Sequence, residues 1–166
     1  MRFRVQYSTL IAGLLLAGCA ANYGSIAPGT PATAVESSSG KPNRVWKEPG
    51  GGSSWEYPMG PEGRYTYMVR FGPDSRVTRV DQVLDWNTFG RINKGMPMVE
   101  VEHLLGRPYS KVQYPLTEQT AWAWRFVETV WRRCFFVYEG PDGKVAGTGA
   151  RDEWPGTTIV GLNVPC

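Results

Sequence analysis

His103 is the single histidine of this 166-residue chain, so a Ser-His-Asp or Cys-His relay would have one imidazole to draw on. It lies on a helix-patterned stretch beside Glu100 and Glu102, which predicts a solvated face rather than a catalytic base. Cys134 and Cys166 are too far from each other and from His103 in sequence to give zinc spacing. Asp74 and Asp142 recur after Gly-Pro pairs, as two acids of a general acid/base site might, but each falls in a turn whose geometry favours aspartate. Neither Gly50-Gly51-Gly52 nor Gly72-Pro73 is followed by the Lys-Ser/Thr of a phosphate cradle. These residues imply no metal, no cofactor and no small-molecule substrate, and we expect a protein that is not an enzyme.

The elements that carry these residues begin after an export signal. Arg2 and Arg4 precede an apolar run from Leu10 to Leu16, and small residues follow. That run is shorter than the roughly 20 apolar residues needed to span a bilayer, so residues 1–18 read as a signal peptide rather than a membrane helix. Leu16-Ala17-Gly18-Cys19 resembles the bacterial lipobox. The resemblance implies that Cys19 becomes the first mature residue and carries lipid such as palmitate. It also implies that Ala20 directs the protein to the outer membrane, anchored and facing the periplasm. Several acyl chains hold a protein stably where one chain anchors only marginally. Residues 19–28 are small and polar and read as a flexible tether.

With Arg2 and Arg4 removed, the 18 basic residues come close to balancing the 15 acidic ones. No nucleic-acid partner is expected from so slight a charge. The remaining chain is long enough for one core or two small ones in contact.

Beyond the tether the chain repeats itself. Setting GTPATAVESSSGKP (29–42) under GMPMVEVEHLLGRP (95–108) pairs Gly29 with Gly95, Pro31 with Pro97, Val35 with Val101, Gly40 with Gly106 and Pro42 with Pro108. Ile26 and Ile92 pair in the same register. Further on, Trp55-x-Tyr57 meets Trp122-x-Trp124, and Val69-x-Phe71 meets Phe136-x-Tyr138 after a slip of one residue. After a second slip, Gly72-Pro-Asp-Ser-Arg-Val77 meets Gly140-Pro-Asp-Gly-Lys-Val145.

Each copy reads as helices followed by strands. Asn87 or Thr88 can cap a short helix running through Ile92, and Pro97 suits the start of a second, where its missing N–H costs nothing. Met98, Val101 and Leu105 share one helical face, with Leu104 beside them, and Gly106 and Pro108 end the helix. Alternation then marks half-buried strands: Tyr65, Tyr67, Val69 and Phe71 on one face, Trp122, Trp124 and Phe126 on another, and Cys134, Phe136 and Tyr138 on a third. Cys134 is placed towards the core as the repeat partner of Tyr67. The Gly-Pro-Asp turns close hairpins. The unit is therefore α+β, with short helices packed on a three-stranded antiparallel sheet.

Ile92-x-x-Gly95-Met96, Val101, Leu105-Gly106-x-Pro108, a tryptophan strand and Asp142-Gly143-x-Val145, in that order from about Trp86 to Arg151, resemble the BamE (SmpA/OmlA) family of small outer-membrane lipoproteins. The resemblance implies two BamE-like units, residues 29–84 and 85–153, followed by a tail at 154–166. In the first, Ser38 and Ser39 replace Leu104 and Leu105, and the tether occupies the room for a first helix, so its helical layer is expected to be degenerate. The implied function is a periplasmic binding or scaffold protein in outer-membrane protein assembly or envelope integrity, with outer-membrane or periplasmic proteins as partners. A tandem pair of such units also resembles the plan of the β-lactamase inhibitor protein. That likeness implies an alternative role, inhibition or regulation of an envelope or secreted enzyme through a saddle of tandem sheets.

Two features bear on contacts. Beyond the inner membrane the compartment is oxidising, and the apolar tail can bring Cys166 back to Cys134; a disulfide, two separate thiols and an intermolecular link all fit the sequence. Seven tryptophans give the core bulk, and each of them either fills a sheet core or the seam between copies or is left over to meet a partner. Trp122, Trp131 and Trp154 are the candidates for a partner-binding patch, because tryptophan is enriched at interfaces.

Overall fold

Glycine and proline frame both halves of the chain. In the computed structural model, which describes residues 23–60, 62–153 and Cys166, Gly40 and Gly106 hold φ of 78° and 77°. That left-handed region is open to glycine and strained for other residues. Each glycine ends an eight-residue helix, α1 (Ala32–Ser39) and α3 (Met98–Leu105), and each donates its N–H back to a glutamate carbonyl, Glu36 or Glu102. Pro31 and Pro97 stand at the two N-caps in extended conformation.

In chain order, a 3-10 turn (Tyr23–Ser25) and α1 are followed by β1 (Arg44–Lys47), β2 (Ser53–Met59), β3 (Tyr65–Phe71) and β4 (Val77–Gln82). Then come α2 (Trp86–Phe89) and α3, and β5 (Ser110–Tyr114), β6 (Gln119–Glu128), β7 (Trp131–Glu139) and β8 (Val145–Asp152). The fold is α+β, with two four-stranded antiparallel meanders in the orders β1-β2-β3-β4 and β5-β6-β7-β8. The expected three strands per sheet become four because β1 and β5 form short edge strands. Their one half-buried face is too short to stand out in sequence.

The halves repeat bond for bond. Gly29 N–H donates to Val77 C=O at 2.7 Å, and Gly95 N–H to Val145 C=O at 2.8 Å. Val35 and Val101 are both fully buried. In the Gly-Pro-Asp turns, Asp74 Oδ1 accepts from Arg76 N–H and Asp142 Oδ1 from Lys144 N–H, each at 3.2 Å, which accounts for both aspartates structurally. The ladder bulges between Arg70 and Phe71 and again between Tyr138 and Glu139.

Those bulges and the cross-strand register correct the sequence alignment by one residue. Trp55 faces Val69 and Trp122 faces Val137, so Val69 matches Val137 rather than Phe136, and Tyr67 matches Phe135. Cys134, Phe136 and Tyr138 do share a face, but it is the one turned away from the helices, where Cys134 and Phe136 pack with Ala123.

The tether boundary also moves. Tyr23 is buried and stacks on Tyr67 at 4.8 Å between ring centroids, as Phe89 stacks on Phe135 at 4.1 Å. The 3-10 turn therefore fills the place of α2, and the first unit begins by Tyr23 rather than Gly29. The first helical layer is thin rather than lost: α1 matches α3 in length but buries Val35 alone, where α3 buries Met98, Val101 and Leu105. Ser37 and Ser38 turn their hydroxyls back onto the helix carbonyls of Thr33 and Val35. The cap of α2 is Asp85, whose carboxylate accepts from Thr88 N–H at 2.8 Å; Asn87 and Thr88 lie inside the helix.

The first sheet has no free face. Opposite α1, its Ser54, Glu56, Thr66 and Met68 are buried, and Met68 joins the core of the second half with Leu105, Trp122 and Trp124. Burying a methionine side chain contributes about 1.5–3 kcal/mol, which couples the halves. Gly106 meets this face at close range, since a Cβ there would lie 3.0 Å from Glu56 Cδ and from Thr66 Cγ2. The corresponding face of the second sheet holds Ala121, Ala123, Cys134 and Phe136, all buried, and Cys166 is tied to it by a disulfide with Cys134.

Candidate protein interface

Cross-strand pairing decides which tryptophans reach the surface. Trp122 does not: it is 7% exposed, its Nε1 donates to Glu139 Oε2 at 2.8 Å, and Lys111 Nζ covers its ring at 3.2 Å from the centroid. The reason is register, for Trp122 stands opposite Val137 on the helix-facing side of the sheet. Trp131 is at the surface. It opens β7 at the tip of the β6–β7 hairpin, 67% exposed, next to Val130 at 76%, and Thr129 takes a positive φ of 58° to make the turn. Trp154 and Cys19 lie outside the described residues.

Sequence reasoning missed Trp86, which is 44% exposed. Its spacing from Phe89 on a capped turn was the signal, since it puts one edge of the indole over the core and leaves the other free. The indole meets Phe126 edge-on at 5.3 Å and 86°, and its Nε1 donates to Glu128 Oε1. Glu128 and Trp131 are direct cross-strand partners, so Trp86 and Trp131 share the carboxylate's neighbourhood on the helix-facing side. Arg133 completes the patch, hydrogen-bonded to Glu128 Oε2 at 2.5 Å and ion-paired with Asp152, whose Oδ1 lies 3.1 Å from Nε, with its guanidinium 5.5 Å from the Trp86 ring. The hydrogen bonds from Arg133 and then Trp86 hold the Glu128 carboxyl below the ordinary carboxylate range. The charges of this surface are paired with one another, which leaves apolar area from Val130 and Trp131 as what it offers a partner.

Another group of ionisable residues gathers where the halves meet. His103 is half-buried there, not on a solvated face: its ring stacks on Trp46 at 4.9 Å, and its Nε2 lies 2.9 Å from Glu48 Oε1. Glu48 also accepts from the Ser54 hydroxyl and from Arg70 Nη1 at 3.3 Å, and Arg70 Nε reaches Asp81 at 3.0 Å. Burial opposes ionisation of Glu48, but the bonds from Ser54 and His103 and the charges of His103 and Arg70 outweigh it and hold its pKa below the ordinary value. Glu56, fully buried, accepts through Oε1 from Asn43 Nδ2 and from Arg107 N–H, each at 3.0 Å. Arg64 and Arg125 bind Glu153 from opposite halves, at 2.7 and 3.2 Å. These contacts are joints between units. Among the described residues, no three His, Cys, Asp or Glu side chains converge as a metal site would require.

No family model matches this sequence, and no curated protein matches it. A solved structure is similar: the crystal structure of a "putative beta-lactamase inhibitor protein" from Streptococcus mutans, 12% identical, covering 78% of this chain and 87% of that one, with a TM-score of 0.34.

Proposed function

We propose that this chain is a non-catalytic, lipid-anchored binding module of the bacterial envelope. In this reading it holds partner proteins at the outer membrane through the Trp86–Val130–Trp131 surface. The observation that carries the reading is the hairpin tip, where adjacent Val130 and Trp131 are both left largely to solvent beside the half-exposed Trp86. The lipobox-like Leu16-Ala17-Gly18-Cys19 and the BamE-like glycine, valine and Leu-Gly-x-Pro pattern support the address and the role in assembly or envelope integrity. Engagement of the one histidine in a joint between units supports a binding role over catalysis.

The test is made in cells carrying the full chain. Palmitate should label the protein through Cys19, deletion should sensitise cells to large hydrophobic antibiotics, and Trp131→Ala should fail to restore resistance while Leu116→Ala, at another exposed turn, succeeds. Absence of label, or equal rescue by both variants, would overturn the proposal. The second reading, an inhibitor of an envelope or secreted enzyme, draws on the same hairpin, whose Val130-Trp131 tip is exposed. The first sheet's helix-free face is covered, so such an inhibitor would use this hairpin or the second sheet rather than a saddle across both. Loss of activity when the protein is added to envelope hydrolases or β-lactamases would favour it.

A further inference from the structure

We propose that the junction of the two halves carries a second binding site, taking an acidic segment of a partner protein. Arg107, Pro108 and Tyr109, which follow α3, line two adjoining hollows. One, of about 360 Å³, is bounded by Arg44 of β1, Glu102 of α3 and Lys111 of β5. The other, of about 300 Å³, continues past Asn43 and Thr66. Because β1 and β5 are the edge strands of their sheets, the groove runs between two strands that each have an unpaired side.

Charge gives the chemistry of the occupant. In the first hollow Arg44, Arg107 and Lys111 face Glu102, whose distances to Arg44 and Lys111 are 3.5 and 3.9 Å, too long for close hydrogen bonds; the second hollow adds one more carboxylate, Glu62, which is paired with Arg64. The guanidinium of Arg107 has no hydrogen bond or ion pair among the described residues; only its backbone N–H is engaged, by Glu56. An arginine held at such a site presents a fork that matches a carboxylate in two parallel bonds. Tyr109 adds a flat, exposed wall, backed by the Arg125 guanidinium at 3.5 Å from the ring centroid. A cation just past a helix is favourable for the helix dipole, and Lys41 after α1 has the same position. That accounts for Arg107 alone and not for its convergence with Arg44 and Lys111 from two other strands. An extended peptide with carboxylates fits a groove spanning both halves, where three cations share Glu102, whereas a neutral one would leave the Arg107 guanidinium without a carboxylate.

The test uses the full-length protein in neutral detergent and a fluorescent peptide of alternating Glu and Ser, followed by anisotropy. We expect saturable binding that weakens as salt is raised, and none for the matching Gln and Ser peptide. Arg107→Glu should weaken binding roughly tenfold or more, whereas Lys94→Glu, on the exposed loop between α2 and α3, should leave it unchanged. Lys111→Glu is a second reversal in the groove, so that loss of fold in one variant does not decide the result; circular dichroism reports the fold in each. The proposal is overturned if the Gln peptide binds as well, if both groove variants behave like Lys94→Glu, or if inorganic phosphate or vesicles of anionic phospholipid displace the acidic peptide better than its own unlabelled form.

Discussion

Tyr57 and Trp124 do the same work in the two halves. The Tyr57 hydroxyl donates to the Gly40 carbonyl at 3.1 Å, and Trp124 Nε1 donates to the Gly106 carbonyl at 3.0 Å, so in each half a strand aromatic ties down the end of the helix. Burial, then the neighbouring Tyr23 and Glu36, push the Tyr57 pKa up to about 12, which keeps the donor proton in place at neutral pH. The two carbonyls differ in surroundings, since Gly40 is exposed and Gly106 is buried. Tyr57→Phe should cost about 1 kcal/mol, because water can replace the lost donor. Trp124→Phe should cost about 2–4 kcal/mol, from an unsatisfied buried carbonyl and a cavity. Urea denaturation measures both, and equal costs would contradict the argument.

Gly40 and Gly106 form an internal control for crowding at the junction. Their backbone angles nearly coincide, so alanine meets the same strain at both, of order 1–3 kcal/mol. A Cβ at Gly40 has nothing within 4 Å, whereas at Gly106 it lies 3.0 Å from Glu56 and Thr66. Gly106→Ala should therefore be more destabilising than Gly40→Ala by about 1–2 kcal/mol. Thermal or urea midpoints that fall equally would mean that the halves do not pack this way.

The same contrasts explain what the sequence revealed. Gly29, Gly40, Pro31, Val35 and their counterparts were legible because left-handed backbone, a helix start and a fully buried position each tolerate few residue types. The register of β3 against β7 was not, because the extra residue lies in the β6–β7 hairpin and both strands alternate in a way that one slip leaves intact. The edge strands β1 and β5 were missed because runs as short as Arg44–Lys47, with an apolar residue on each face, show no alternation of apolar and polar residues. Tyr23 looked like tether since its neighbours are small. Its role depends on Tyr57 and Tyr67, which are distant in sequence. In the candidate interface, Trp131 stands out in sequence, Trp122 shares a face with Trp124 and Phe126 as its spacing predicts but that face is covered, and Trp86 owes its place to Phe126 and Glu128, which are distant in sequence.

Acid should loosen the junction through Glu48. Its carboxyl titrates below the ordinary 4.5, so the ionised form is favoured by folding. That contribution is complete above the unfolded value and is lost as pH falls through the lower folded value. Wild-type stability should accordingly drop below about pH 4.5, and Glu48→Gln should flatten that part of the profile. Parallel profiles for the two proteins, measured by denaturant midpoint from neutral pH downward, would show that Glu48 is not the group responsible.

The Cys134–Cys166 bridge closes a loop with a sequence separation of 32. On the chain-entropy account, a loop of that length contributes about 3–4 kcal/mol. Cys134→Ser, or reduction of the wild type, should lower stability by up to that amount, and reduction should then have no further effect on the variant. Free-thiol titration of the unfolded, unreduced protein gives the independent check, with both of these cysteines expected to be unreactive.

Site-specific photocrosslinking at position 131 in living cells tests the binding role most directly. A photoreactive residue replacing Trp131 should give discrete adducts with one or a few envelope proteins, while the same residue at Leu116, which is 101% exposed on the β5–β6 turn, should give none of them. Identical adducts from both positions, or none from position 131 in protein shown to be folded and acylated, would contradict the account.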